Sequence, residues 1–170
     1  MANTYTLISS STPTNTPNSV VFSSIPQTYT DLVLMGSIKD MAEFQTVINW
    51  NLRFNSNTGP YSHTNLRGVG SAVFSARDSG TYGDGLGPIL ASVANSFTNF
   101  ELYLPNYTTS QKKPFKYSSV SLNTTNFSGI AVHESASLYN VESAVSSITL
   151  YNTSGFTTGS SLYLYGIKNS

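Results

Sequence analysis

The chain has 170 residues, no cysteine, eight Lys and Arg against eight Asp and Glu, and only 9% charged residues. That length buries roughly 70% of the unfolded surface in one domain, and without cysteine there is neither a disulfide framework nor a thiolate metal site. A formal net charge of zero argues against a strongly basic nucleic-acid binder, and a charge-poor surface of Ser, Thr and Asn favours association.

Residues 4–10 predict a short strand, and the polar run 10–18, with Pro13 and Pro17, predicts an irregular connection. Residues 1–18 are therefore expected to be an N-terminal strand and assembly arm, ahead of a single domain over 19–170, because the segment has too few apolar residues to order itself. Residues 19–22 can pair again. In 31–38, Leu32, Leu34 and Ile38 share a face. Residues 39–45 allow one helical turn, with Asp40 and Glu43 at capping-box spacing. Over 46–54, Ile48, Trp50, Leu52 and Phe54 alternate with polar residues, as in a strand near the middle of a sheet.

Residues 55–60 read as a turn and 62–74 as extended chain, with a bulge at Gly68 and Gly70. Residues 77–88, RDSGTYGDGLGP, carry four glycines and predict a long exposed loop. Tyr82 and Leu86 are its only sizeable apolar groups, so they are expected to anchor it on a neighbouring chain.

The chain is organised around 97–123, a hairpin whose first arm turns Phe100, Leu102 and Leu104 to one side. Its second arm alternates Phe115, Tyr117, Ser119 and Ser121 with Lys116, Ser118, Val120 and Leu122. Pro105 and Pro114 mark where pairing is expected to stop, around a solvated connection. Further strands follow at 129–133, 145–151 and 161–167, with a loop over 136–143. Nine or ten short strands with little or no helix predict an all-β fold, a two-sheet antiparallel β-sandwich, jelly-roll-like.

Chemistry is sparse. His63 and His133 lie in strand-like sequence without a nucleophile elbow, and His133 and Glu134, being adjacent, point to opposite faces. Asp78 and Asp84 lack the spacing of a calcium loop, and the glycine-rich run lacks a P-loop ending. Lys112, Lys113 and Lys116 suit a solvated hairpin tip better than a phosphate track. No catalytic, cofactor or metal residue is assigned, and the chain reads as no enzyme. Neither a signal peptide nor a membrane span is visible, and the sequons at Asn106, Asn123, Asn126 and Asn152 are set aside as chance. A glycan site would use loop tyrosines, with Tyr61, Tyr82 and Tyr107 as candidates; such tyrosines equally serve protein interfaces.

Four strings, at 22–34 (FSSIPQTYTDLVL), 52–68 (LRFNSNTGPYSHTNLRG), 100–115 (FELYLPNYTTSQKKPF) and 146–167 (SSITLYNTSGFTTGSSLYLYGI), resemble short virion structural proteins of tailed bacteriophages, especially those of cyanobacterial and other aquatic hosts. Residues 70–90 and 126–145 depart from that pattern. The resemblance implies a virion component made in the host cytoplasm, a capsid decoration (cement) protein on the capsid exterior. Its implied partners are further copies of itself, as a trimer, and the major capsid protein, with no nucleic acid or membrane. The alternative it leaves is a tail- or head-fibre module binding host-surface carbohydrate. Candidate interface residues are Tyr5, Leu7, Tyr82, Leu86 and Tyr107.

Overall fold

Four strand pairs nest inside one another along the chain, first with last, and they set the architecture. In the computed structural model, β1 (Tyr5–Ser11) pairs with β12 (Ser161–Ile167) and β2 (Ser19–Phe22) with β11 (Ile148–Tyr151). Likewise β3 (Asp31–Ile38) pairs with β8 (Thr98–Leu104) and β4 (Ile48–Phe54) with β7 (Leu86–Ile89). These eight strands form two antiparallel sheets, β1-β12-β3-β8 and β2-β11-β4-β7, which is the jelly-roll arrangement. Two further pairs, β5 (Tyr61–Val69) with β6 (Ala72–Gly80) and β9 (Lys113–Asn123) with β10 (Gly129–Tyr139), lengthen the first sheet to β1-β12-β3-β8-β9-β10-β5-β6. The structure describes residues 4–39, 48–80, 86–89, 97–123, 129–152 and 155–168, and no helix occurs among them.

The core follows the alternation of apolar residues. Leu32, Leu34, Leu102, Leu104, Leu162 and Leu164 from the larger sheet meet Trp50, Leu52, Phe54, Ile148 and Leu150 from the smaller, all but Trp50 without exposed surface. An aromatic seam runs through this layer. Trp50 packs edge-on against Phe100 at 5.3 Å and Phe156 at 5.4 Å, Phe54 against Phe115 at 5.2 Å, and Tyr61 stacks on Tyr139 at 5.0 Å. Close approach makes glycine necessary at Gly166, where an added Cβ would stand 2.3 Å from the Tyr29 ring. The expected central position of Trp50 holds, since β4 lies between β11 and β7.

The hairpin of 97–123 forms as read, with Leu102 opposite Tyr117 and the predicted faces buried. Several expectations are corrected. Gly68 lies in regular strand with no bulge, and Gly70, at φ 58°, opens the tight turn between Val69 and Ala72. Residues 77–88 are no continuous loop: Arg77 to Gly80 continue β6 in register with β5, and Leu86 to Ile89 form β7 despite Pro88. Residues 81–85, with Tyr82, lie outside the described residues, as do the helical turn expected within 39–45 and the strand lead-in over 90–95. Ala136 to Tyr139 belong to β10, because the β9 ladder holds them as far as Lys113. Pro114 ends pairing only toward β8, whose register with β9 stops at Lys116.

Nor is the β8–β9 connection a freely solvated loop. The Tyr107 ring is fully buried, its hydroxyl donates to the Pro26 carbonyl, and its own carbonyl accepts from Val145 N at 2.8 Å. Lys113, expected at a solvated tip, is buried, and its ammonium donates to the Thr109 carbonyl at 2.7 Å and to the Gln111 carbonyl. Asn106 supplies the positive φ the turn requires, at 50°.

Candidate functional site: the outer face of the long sheet

One face of the eight-stranded sheet covers the core and the other looks outward. Residues that stand opposite one another run across that outer face from Tyr165 on β12, through Val33, Tyr103, Lys116, Ala136 and Thr64, to Arg77 on β6. Three zones divide it.

At the β1 edge, Leu7 stands opposite Tyr165, and the Tyr5 ring meets Tyr165 edge-on at 6.2 Å, with Tyr163 beyond at 6.5 Å. Tyr5 and Leu7 are half exposed, at 50% and 52%. The sequence reading placed both in an interface, and the structure shows them side by side on an open edge strand. Edge strands carry unpaired backbone groups and are natural pairing sites.

At the opposite end, a row of paired positions reads Val120, Val132, Gly68 and Val73, with Leu66 in the adjoining row. All four side chains are exposed, Val73 at 78%. A Cβ built on Gly68 would meet nothing within 4 Å, so the row is open at that position. Four exposed aliphatic side chains thus share one end of the outer face.

Between these zones lies a concavity of about 460 Å³. Tyr103 forms one wall and is held there by Asp31. That buried carboxylate accepts the Tyr103 hydroxyl at Oδ2, 2.7 Å, and the Asn106 amide at Oδ1, 2.9 Å. The hydrogen bond to Asp31 is the main reason the phenol is pushed up to about 12, with burial adding to it. Lys116 stands on the rim in an ion pair with Glu134, 3.3 Å, both ends exposed. Arg77 faces it across the concavity, and its guanidinium has no partner among the described residues.

The remaining sequence candidates part company here. Tyr107 is corrected to a core residue and cannot present its ring to a partner. Leu86 opens β7 opposite Trp50, and its side chain, like Tyr82, lies outside the described residues. Tyr61, read as a loop tyrosine, is buried on β5, where its hydroxyl oxygen accepts from Phe54 N at 2.9 Å. Residues missed by sequence reasoning include Tyr103 and Arg77, whose alternation was legible but whose adjacency depends on the order β8-β9-β10-β5-β6.

The inner face of the β9-β10-β5 extension is polar. His133 is buried opposite Arg67 and Ser119, its Nδ1 without a partner among the described residues, and Tyr117 lies edge-on at 5.8 Å. Burial, then the charges of Arg67 and His63, lower its pKa to about 4. Glu134 emerges on the opposite face, as adjacency on a strand demands. His63, also buried, stands opposite Ser137 and Asp78, four positions along the sheet from the His133 row. Among the described residues no group of three or more His, Asp or Glu is placed to hold a metal ion. No family model and no curated protein matches this chain.

Proposed function

We propose that the chain is a structural protein of a bacteriophage virion, a capsid decoration protein that binds the outer capsid surface as an oligomer and stabilises the shell. The observation that carries this reading is the aliphatic group of Leu66, Val73, Val120 and Val132, open to solvent on one end of the eight-stranded sheet. A jelly roll held by nested long-range pairs suits a load-bearing shell component, because each strand is tied to a partner distant in sequence. Binding only to the assembled lattice would stabilise that lattice by mass action. Function does not follow from fold, so the surface and the family resemblance bear the weight.

The test is the copy number in purified particles. A shell component is present in numbers comparable to the repeat of the capsid lattice, whereas a handful of copies per particle, or none, overturns the reading. A second arm uses Leu66→Ser with Val132→Ser. Both side chains are exposed, so the folded protein should melt within a few degrees of the parent, while its retention on particles drops.

A further inference from the structure

We propose that the concavity between Tyr103 and Arg77 is a binding site for an acidic saccharide, an activity separate from shell docking. The argument starts from what the sheet cannot offer. The site lies over β8, β9, β10, β5 and β6, where all but the outermost strand have neighbours on both sides, so the ladders consume backbone donors and acceptors over most of its floor. A peptide that binds by strand addition finds a free ladder edge only along β6, outside the floor of the concavity. Recognition falls to side chains.

Those side chains are of two kinds. Ala136, Leu138, Pro114 and the Tyr103 ring give an apolar bed, and Ser62, Thr64, Lys116 and Arg77 set hydroxyls and cations around it. A sugar ring has the matching character, with C–H faces to lie on the bed and hydroxyls at its equator for the polar groups. A volume of about 460 Å³ falls within the usual range for small-molecule sites.

Charge selects the class of sugar. Lys116 is already balanced by Glu134, which leaves Arg77 as the lining cation without a partner among the described residues. Its planar fork holds a carboxylate through two parallel hydrogen bonds. Lys116 and Arg77 stand three strand spacings apart, about 14 Å between backbones. That span seats one or two rings with the carboxylate directed to β6. The ligand class is therefore a uronic or sialic acid unit of a surface polysaccharide.

The experiment follows backbone amide shifts of the full chain while titrating N-acetylneuraminic acid, a galacturonic acid trisaccharide, galactose and a Glu-rich hexapeptide. The acidic sugars should shift Thr64, Arg77 and Ala136 and bind about tenfold or more tightly than galactose, the worth of a charged hydrogen bond. Arg77→Gln should bring them down to the level of the neutral sugar, and Ala136→Trp, which fills the concavity from an exposed position, should abolish all binding. Equal affinity for acidic and neutral sugars, insensitivity to Arg77→Gln, shifts confined to another surface, no binding at all, or tighter binding of the hexapeptide each overturns the proposal. Arg77 is exposed at the sheet edge, so its variant decides the matter even where Ala136→Trp fails to fold. Particle copy number has no bearing on these outcomes, so this proposal and the shell reading stand or fall separately.

Discussion

Leu102 has no solvent-exposed surface and sits on β8 opposite Tyr117 and Leu34, in the layer between the sheets. Leu102→Ala should cost about 2–5 kcal/mol, the transfer term plus the cavity, measured by urea denaturation. His133 gives a different signature. In the folded chain its pKa is lowered to about 4 against an ordinary 6.5, so below pH 6.5 the unfolded chain takes up a proton that the folded chain refuses. Stability is then highest above pH 6.5, falls as pH drops toward 4, and loses nothing more from this group below 4. The full loss is on the order of 3 kcal/mol. His133→Gln should flatten that part of the profile, and denaturation midpoints from pH 7 to pH 4 check it. Lys113 shows why side-chain type alone misleads: its four-carbon stem fits a buried channel because carbonyls of Thr109 and Gln111 receive the ammonium.

Among the strands, β5 and β1 differ in how much the molecule depends on them. Gly68 lies within β5 with open space where a Cβ would stand and without a positive φ. Gly68→Ala should therefore stabilise the folded protein by about 0.5–1 kcal/mol, since the side chain restricts the unfolded strand and meets no obstacle. A melting temperature that falls instead would show that the space over Gly68 is not open. β1 contributes mostly exposed side chains, with Ile8 alone packed toward the core, at the irregularity between Leu7 and Ser9. Removing residues 1–10 should leave a cooperatively folding sandwich with β12 as its new edge, judged by circular dichroism and thermal melting. If shell binding uses this edge, the truncated protein will be lost from particles while still folded.

At the scale of the molecule, one cluster of buried residues joins both sheets, from Val20 and Phe22 through Trp50 to Leu162 and Leu164. Because that cluster is shared, neither sheet can dissolve without exposing core residues of the other. Unfolding should accordingly be a single transition, with Trp50 fluorescence and far-ultraviolet circular dichroism tracing coincident curves in denaturant. Separated curves would show that the β5–β6 and β9–β10 extension melts apart from the jelly roll.

The amino-acid sequence by itself determined the strands with a wet and a dry side. The alternation of Phe100, Leu102 and Leu104, or of Trp50, Leu52 and Phe54, fixes which face is buried, because successive side chains on a strand point to opposite sides and only one can meet a core. It also limited the fold class, through the absence of cysteine and the scarcity of helix formers. Only the tertiary structure decided which strands are neighbours. Tyr103, Lys116, Thr64 and Arg77 lie between positions 64 and 116 of the chain, and only the order β8-β9-β10-β5-β6 puts them around one concavity. Glycine-rich composition predicted a loop at 77–88, yet backbone pairing with β5 and β4 holds Arg77 to Gly80 and Leu86 to Ile89 as strand. Tyr107 likewise looked like a loop-tip tyrosine, and the approach of Pro26 and Val145 from distant segments made it core. Local pattern sets the pleat; pairing across the chain sets the surface, because register is chosen by partners that the linear sequence does not name.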